Sequence, residues 1–129
     1  MSAPTLQALV AADHVYRDEG TGKYVIAGTF HQVNLEAFPA TLGRTVGLFV
    51  ALRGVDGEAD VQFELVGPES VEPLMRSHDM RVACSDPDRT VEFAVELPPL
   101  PLPAPGRYAL RLEVNGAPLG EAPLEVREA

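Results

Sequence analysis

Hydrophobic and polar residues alternate with a period of two through most of this chain, most plainly between Leu97 and Val126. There Tyr108, Leu110, Leu112 and Val114 fall on one side while Ala109, Arg111 and Glu113 fall on the other, the signature of a strand with one wet face. Asn115-Gly116 supplies the positive φ angles of a tight hairpin, and a further strand follows to Val126. The same period predicts strands elsewhere. Thr5 to Arg17 and Lys23 to Val33 form a first hairpin across Asp18-Glu19-Gly20-Thr21-Gly22, a loop of turn formers. Val46 to Arg53 and Ala59 to Val66 form a second across Gly54-Val55-Asp56-Gly57, with Val61, Phe63 and Leu65 inward.

Val71 to Cys84 is too long for one clean alternation, because its apolar residues change parity between Leu74 and Met75, which predicts a bulge or break there. Thr90 to Leu97 resumes strict alternation with Val91, Phe93, Val95 and Leu97 inward. Pro98 to Pro105 carries five prolines, too many for a central strand. Pro98 and Pro101 satisfy P-x-x-P, but a short internal segment tied to strands at both ends reads better as a stiff crossover between sheets, with Leu97, Leu100 and Leu102 plugging one end. The expected fold is all-β: a single domain over residues 1–129, a two-sheet antiparallel β-sandwich of about eight strands with an immunoglobulin-like or C2-like Greek key. Phe63, Phe93, Tyr108 and Leu112 are its predicted core aromatics and aliphatics.

Composition changes this picture little. The 129 residues are 46% hydrophobic and 22% charged, as in a folded domain, and no run approaches the ~20 apolar residues of a membrane span. The beginning of the chain shows no basic segment of the secretory kind, and lone Cys84 suits a reducing compartment, so a cytoplasmic location is expected. On a strand beside Val82, Cys84 reads as a small hydrophobe rather than a reactive thiol. A net charge of −9 argues against nucleic acid and anionic membranes as partners.

Catalytic motifs fail one by one. Gly20-Thr21-Gly22-Lys23 lacks the spacing, hydroxyl residue and helix of a phosphate loop and reads as a turn. Ser77-His78-Asp79 has the letters of a triad, but neighbouring strand residues point to opposite faces. His14, His31 and His78 lack metal-ligand spacing. If connections alternate between the ends of the sandwich, one tip gathers Asp18, Asp56, Asp60, Asp86 and Asp88, a candidate calcium site of the kind used by C2 domains. Turn chemistry and solubility account for the same residues more simply. The opposite end would gather Leu35, Phe38, Leu42, Leu100 and Leu102, a candidate interface for another protein or a second copy of this chain.

The segments Ala12 to Asp18 and Thr21 to Phe30, then Phe38-Pro39, Pro99-Leu100-Pro101 and Pro105-Gly106-Arg107-Tyr108, resemble a family of small bacterial proteins known only as a domain of unknown function. The resemblance covers nearly the whole chain, rests on turn and core positions, and implies a fold without implying catalytic residues. The last hairpin is also similar to the closing strands of immunoglobulin-like and fibronectin-type sandwiches. The functional expectation is a non-catalytic interaction or structural module without a cofactor, self-associating or binding another protein. The competing expectations are a calcium-binding module or an enzyme whose site the sequence does not reveal.

Overall fold

A computed structural model of the chain describes residues 4–69 and 72–129, and no helix occurs among them. The strands are β1 (Thr5–Arg17), β2 (Tyr24–Thr29), β3 (Gln32–Leu35), β4 (Ala40–Leu42), β5 (Val46–Arg53) and β6 (Gly57–Val66). They continue as β7 (Met75–Arg76), β8 (Met80–Cys84), β9 (Thr90–Leu97), β10 (Leu100–Leu102), β11 (Gly106–Val114) and β12 (Ala117–Glu128). One sheet has the order β2-β1-β5-β9, a second has β3-β12-β11-β6-β7 with β8 also on β6, and β10 and β4 form a separate two-stranded ladder. Every pairing is antiparallel except β3 with β12.

Neighbours β1-β5-β9 in one layer and β6-β11-β12 in the other reproduce the A-B-E and C-F-G layers of an immunoglobulin-like Greek key. A second hallmark agrees. Tyr108, near the start of β11, donates its hydroxyl to the Ala104 carbonyl (2.6 Å) and accepts from the Ala104 amide (3.2 Å), a tyrosine corner where the chain crosses between sheets. The closing hairpin is as expected, with Asn115 and Gly116 at φ 53° and 80°. Asn115 also clamps Asp60, donating its amide to the Asp60 carbonyl (2.8 Å) and accepting the Asp60 amide on Oδ1 (2.9 Å).

Three local expectations change. Val46–Arg53 and the following strand are not a hairpin, because β5 lies in one sheet and β6 in the other. Alternation places residues on faces but does not say which sheet a strand joins. Lys23 to Val33 is two strands rather than one: β2 ends at Thr29, Phe30 still donates to the Ala11 carbonyl, and the His31 carbonyl already accepts from Glu125 of the other sheet. The long segment before Cys84 breaks at Ser77–Asp79, later than the parity change; Val71 lies outside the described residues.

The core is built from Val46, Leu48, Val50 and Leu52 of β5 against Val61, Phe63 and Leu65 of β6 and Leu110 and Leu112 of β11. Strand β5 is buried on its other face as well, where Phe49 and Ala51 keep only 8% and 6% exposure. Its cover is the β1–β2 hairpin, which stops pairing with β5 at Ala12–Gly47. The arm folds across the outer face, so that Tyr24 stacks obliquely on Phe49 (centroids 5.6 Å) and Val15 Cγ2 lies 3.3 Å from where a Gly47 side chain would begin. This explains the unbroken apolar run of β5, since a strand covered on both faces has no polar side.

Candidate functional site

The acidic residues do not form one tip. Asp56 follows Arg53, which pairs with Thr5, whereas Asp18 lies beyond Arg17 at the other end of β1. The reversal at Phe30–His31 adds a connection, and the alternation of loop ends is lost for everything before it. Asp60, Asp86 and Asp88 lie near the end that holds Asp56, each in its own local arrangement. Asp60 pairs with Arg81 (3.1 Å), which also reaches Glu58 (3.4 Å). Asp86 accepts the Asp88 amide (2.9 Å) within its turn. Asp18 accepts from the Thr21 hydroxyl (2.7 Å) and the Gly20 amide, bonds that hold its carboxyl below the usual range. Among the described residues no group of three or more His, Cys, Asp or Glu side chains is placed to hold a metal ion.

The triad letters are separated by a different route from the one expected. Ser77, His78 and Asp79 lie in the break between β7 and β8 rather than in a strand. Ser77 is buried, and its hydroxyl accepts the Phe63 amide (2.9 Å) while its own amide donates to the Phe63 carbonyl (2.8 Å). It finishes the edge of β6.

One buried carboxylate escaped the sequence reading. Glu64, on the outward face of β6, has a side chain only 4% exposed and takes a forked contact from Arg76 of β7, at 2.7 Å and 3.2 Å. The neighbouring Glu113 carboxyl holds the Glu64 carboxyl low, with Arg76 adding to the effect, while Glu64 pushes Glu113 up. The Glu64–Arg76 contact lies on a sheet face and clasps β7 to β6. Its visible signal was one acidic residue in an alternating strand, which any wet face would carry.

Leu35, Phe38, Leu42, Leu100 and Leu102 do gather at one end, where β4 pairs with β10. As an exposed patch, however, the expectation needs correcting. Leu42, Leu100 and Leu102 are buried, and Leu35 and Phe38 are half-buried against the same core. Prolines cannot fill a ladder, so the leucines between them turn inward to close the sandwich and the prolines line the outside. A shallow cavity of about 360 Å³ there is bounded by Pro39, Leu74, Pro101 and Pro103.

A second apolar surface follows from the sheet order. Val91, Phe93 and Val95 of β9 stand beside Leu52, Val50 and Leu48, which are fully closed to solvent, yet they are only half-buried. Across the layer gap, Met75, Met80 and Val82 stand half-buried beside Leu65, Val61 and Ala59. Both rows are partly buried margins of the same core, one on the edge strand β9 and one on β7 and β8, and the turn over residues 85–89 carries the chain from β8 to β9; this flank is the seam. Phe93, expected in the core, belongs to this seam because β9 is an edge strand.

These features are those of a two-layer sandwich with a partly buried apolar flank. The profile of one family matches residues 7–127. The chain belongs to DUF6941, a family of unknown function. No curated protein matches the sequence significantly. Among solved structures, the alkylpurine DNA glycosylase AlkC of Pseudomonas fluorescens, bound to DNA containing an abasic site analog, is similar at 16% identity and a TM-score of 0.54. The likeness covers 96% of this chain and 30% of that one, so the chain spans less than a third of AlkC and shares a fold with that part. An immunoglobulin-like protein from Pseudomonas aeruginosa is similar at 16% identity over 98% of both chains, with a TM-score of 0.40.

Proposed function

We propose that this member of the family is a non-catalytic module that binds another protein along the flank between β9 and β8. The half-buried seam carries the reading: residues aimed at the core remain partly wet on this flank while their neighbours one strand inward are closed. Covering such a surface removes apolar area from water, worth roughly 25 cal/mol per Å². Side chains that chemistry would need are engaged elsewhere, the Ser77 hydroxyl with Phe63 and the Glu64 carboxylate with Arg76. AlkC is a DNA-bound protein by its description, but a net charge of −9 gives this chain no positive footprint for phosphates. A protein partner and no cofactor follow from this reading.

The test is affinity capture from the native host with the wild-type protein and with Met80→Lys, after circular dichroism and melting show that both are folded. A protein held by the wild type and lost by the variant supports the reading. Equal retention, or retention of nothing by either, overturns it.

A further inference from the structure

The geometry points to the way that partner binds: an extended segment of another protein, alternating apolar and basic residues, adds as a strand to the open edge of β9. The inference rests on the interaction-module reading and specifies its partner. Strand β9 pairs with β5 on one side, and nothing among the described residues pairs with its other side. In the sandwich with layers ABED and CFG, the place beside E is taken by strand D; here it is vacant.

Edges of this kind are normally blunted by proline, bulges, inward charges or short length. Several other edges follow that rule. Strand β2 is kinked at Gly28 (φ 74°), β3 has 4 residues, and the 2-residue β7 is separated from β8 by a break. The part of β12 beyond β3 carries Pro118 and Pro123. Strand β9 has none of these devices: 8 residues, in unbroken register with β5 from Thr90 to Leu97, without proline and without an inward charge.

Side-chain chemistry selects the occupant. A strand added beside β9 would turn one face onto the seam of Val91, Phe93, Val95 and the β7–β8 methionines, so alternate residues must be apolar. Its other face would lie beside Glu92 and Glu96, both exposed and neither in an ion pair among the described residues. Just before the strand Asp86 and Asp88 outnumber Arg89, which leaves that turn net negative. Cross-strand pairs favour opposite charge and oppose like charge, so the outward residues must be basic. A second copy of this chain does not fit. Antiparallel pairing of two β9 strands sets the carboxylates of Glu92 and Glu96 opposite or diagonal to those of the copy in every well-overlapped register that keeps the faces aligned, and each copy brings a charge of −9.

The probe is a capped eight-residue peptide of alternating valine and lysine. Its controls are the valine–glutamate peptide and a valine–lysine peptide N-methylated at alternate residues on its pairing edge. Amide hydrogen exchange of the full chain reports where each binds. The valine–lysine peptide is expected to slow exchange within Thr90–Leu97, and the N-methylated version to lose this effect. The double substitution Glu92→Lys and Glu96→Lys, on exposed positions that leave the fold intact, should weaken the valine–lysine peptide by about tenfold and favour the glutamate peptide. Equal binding of the two charge types, protection outside β9, or undiminished binding by the N-methylated peptide overturns the inference. Those outcomes leave the seam reading standing, since that fails only in the Met80→Lys comparison; light scattering that shows a dimer would transfer the edge to a second copy and overturn the proposed partner.

Discussion

On the flank where β1 meets β12, Leu6 occupies the space that a side chain at Gly120 would need, and β3 is zipped onto Glu125–Glu128. On the flank where β9 faces β8, the inward residues stop at a half-buried row and no further strand is added. Both flanks use the same aliphatic alphabet. What differs is whether the chain spends a segment on closing the gap, and the closed flank shows that this fold can do so with a glycine and four residues of strand. The open flank is the place where the proposed partner would complete the burial that the chain's own strands leave unfinished.

The comparison is sharpest in the two phenylalanines. Phe63 has no exposure and Phe93 stands on the open edge, so Phe63→Ala should cost about 3–5 kcal/mol and Phe93→Ala about 1–2 kcal/mol. Urea unfolding measures both, and equal losses would mean that the flank is closed. On the other flank, Gly120→Ala should cost about 1 kcal/mol by crowding Leu6, and Leu6→Ala in that background should show coupling between the two sites. Strict additivity would break the claim that the two residues close the gap together.

A smaller effect concerns the clasp that holds β7 on the open side. Glu64 has a lowered carboxyl pKa in the folded protein, so its contribution is present above the unfolded value and is lost as pH falls through the folded one. Glu113 is raised, so its contribution is present below the unfolded value and is lost as pH rises through the folded one. The pair should stabilise most near the ordinary glutamate value and less on either side. In urea midpoints measured against pH, Glu113→Gln should remove the fall on the alkaline side; an unchanged profile would dissolve the pair. The smallest effect is expected from calcium. With Asp18 apart from Asp56, Asp60, Asp86 and Asp88, millimolar calcium should shift the melting temperature no more than magnesium or matched sodium chloride. A larger calcium shift would show that the acidic loops at the end of the open flank converge.

Strands β6, β9 and β11 were legible because each keeps one face on the core over at least 8 residues, and a period of two cannot be mistaken over that length. The turn at Asn115-Gly116 was legible because its backbone angles favour those residue types. The reversal at Phe30–His31 left no such mark: it needs no special φ angle at those two residues, and the polar Thr29, His31 and Gln32 around it suit the wet face of a continuing strand as well as they suit a turn. The interface candidates show the same limit. Leu42, Leu100 and Leu102 look alike whether they plug a core or greet a partner, and only the pairing of β4 with β10 turns them inward.

Local pattern thus determined that this chain is a sandwich of alternating strands, where several of them lie and which face of each is apolar, because side-chain direction in a strand depends on residue parity alone. Tertiary structure decided which sheet each strand joined, which end each loop reached and which edge was left without a neighbour. Those are relations between residues far apart in sequence: Arg53 beside Thr5, Leu6 against Gly120, Val126 beside Val33. No short-range period encodes them. The vacant place beside β9 is of that kind, since Val91, Phe93 and Val95 read as ordinary core residues until the position of the strand shows that one side has nothing to pair with.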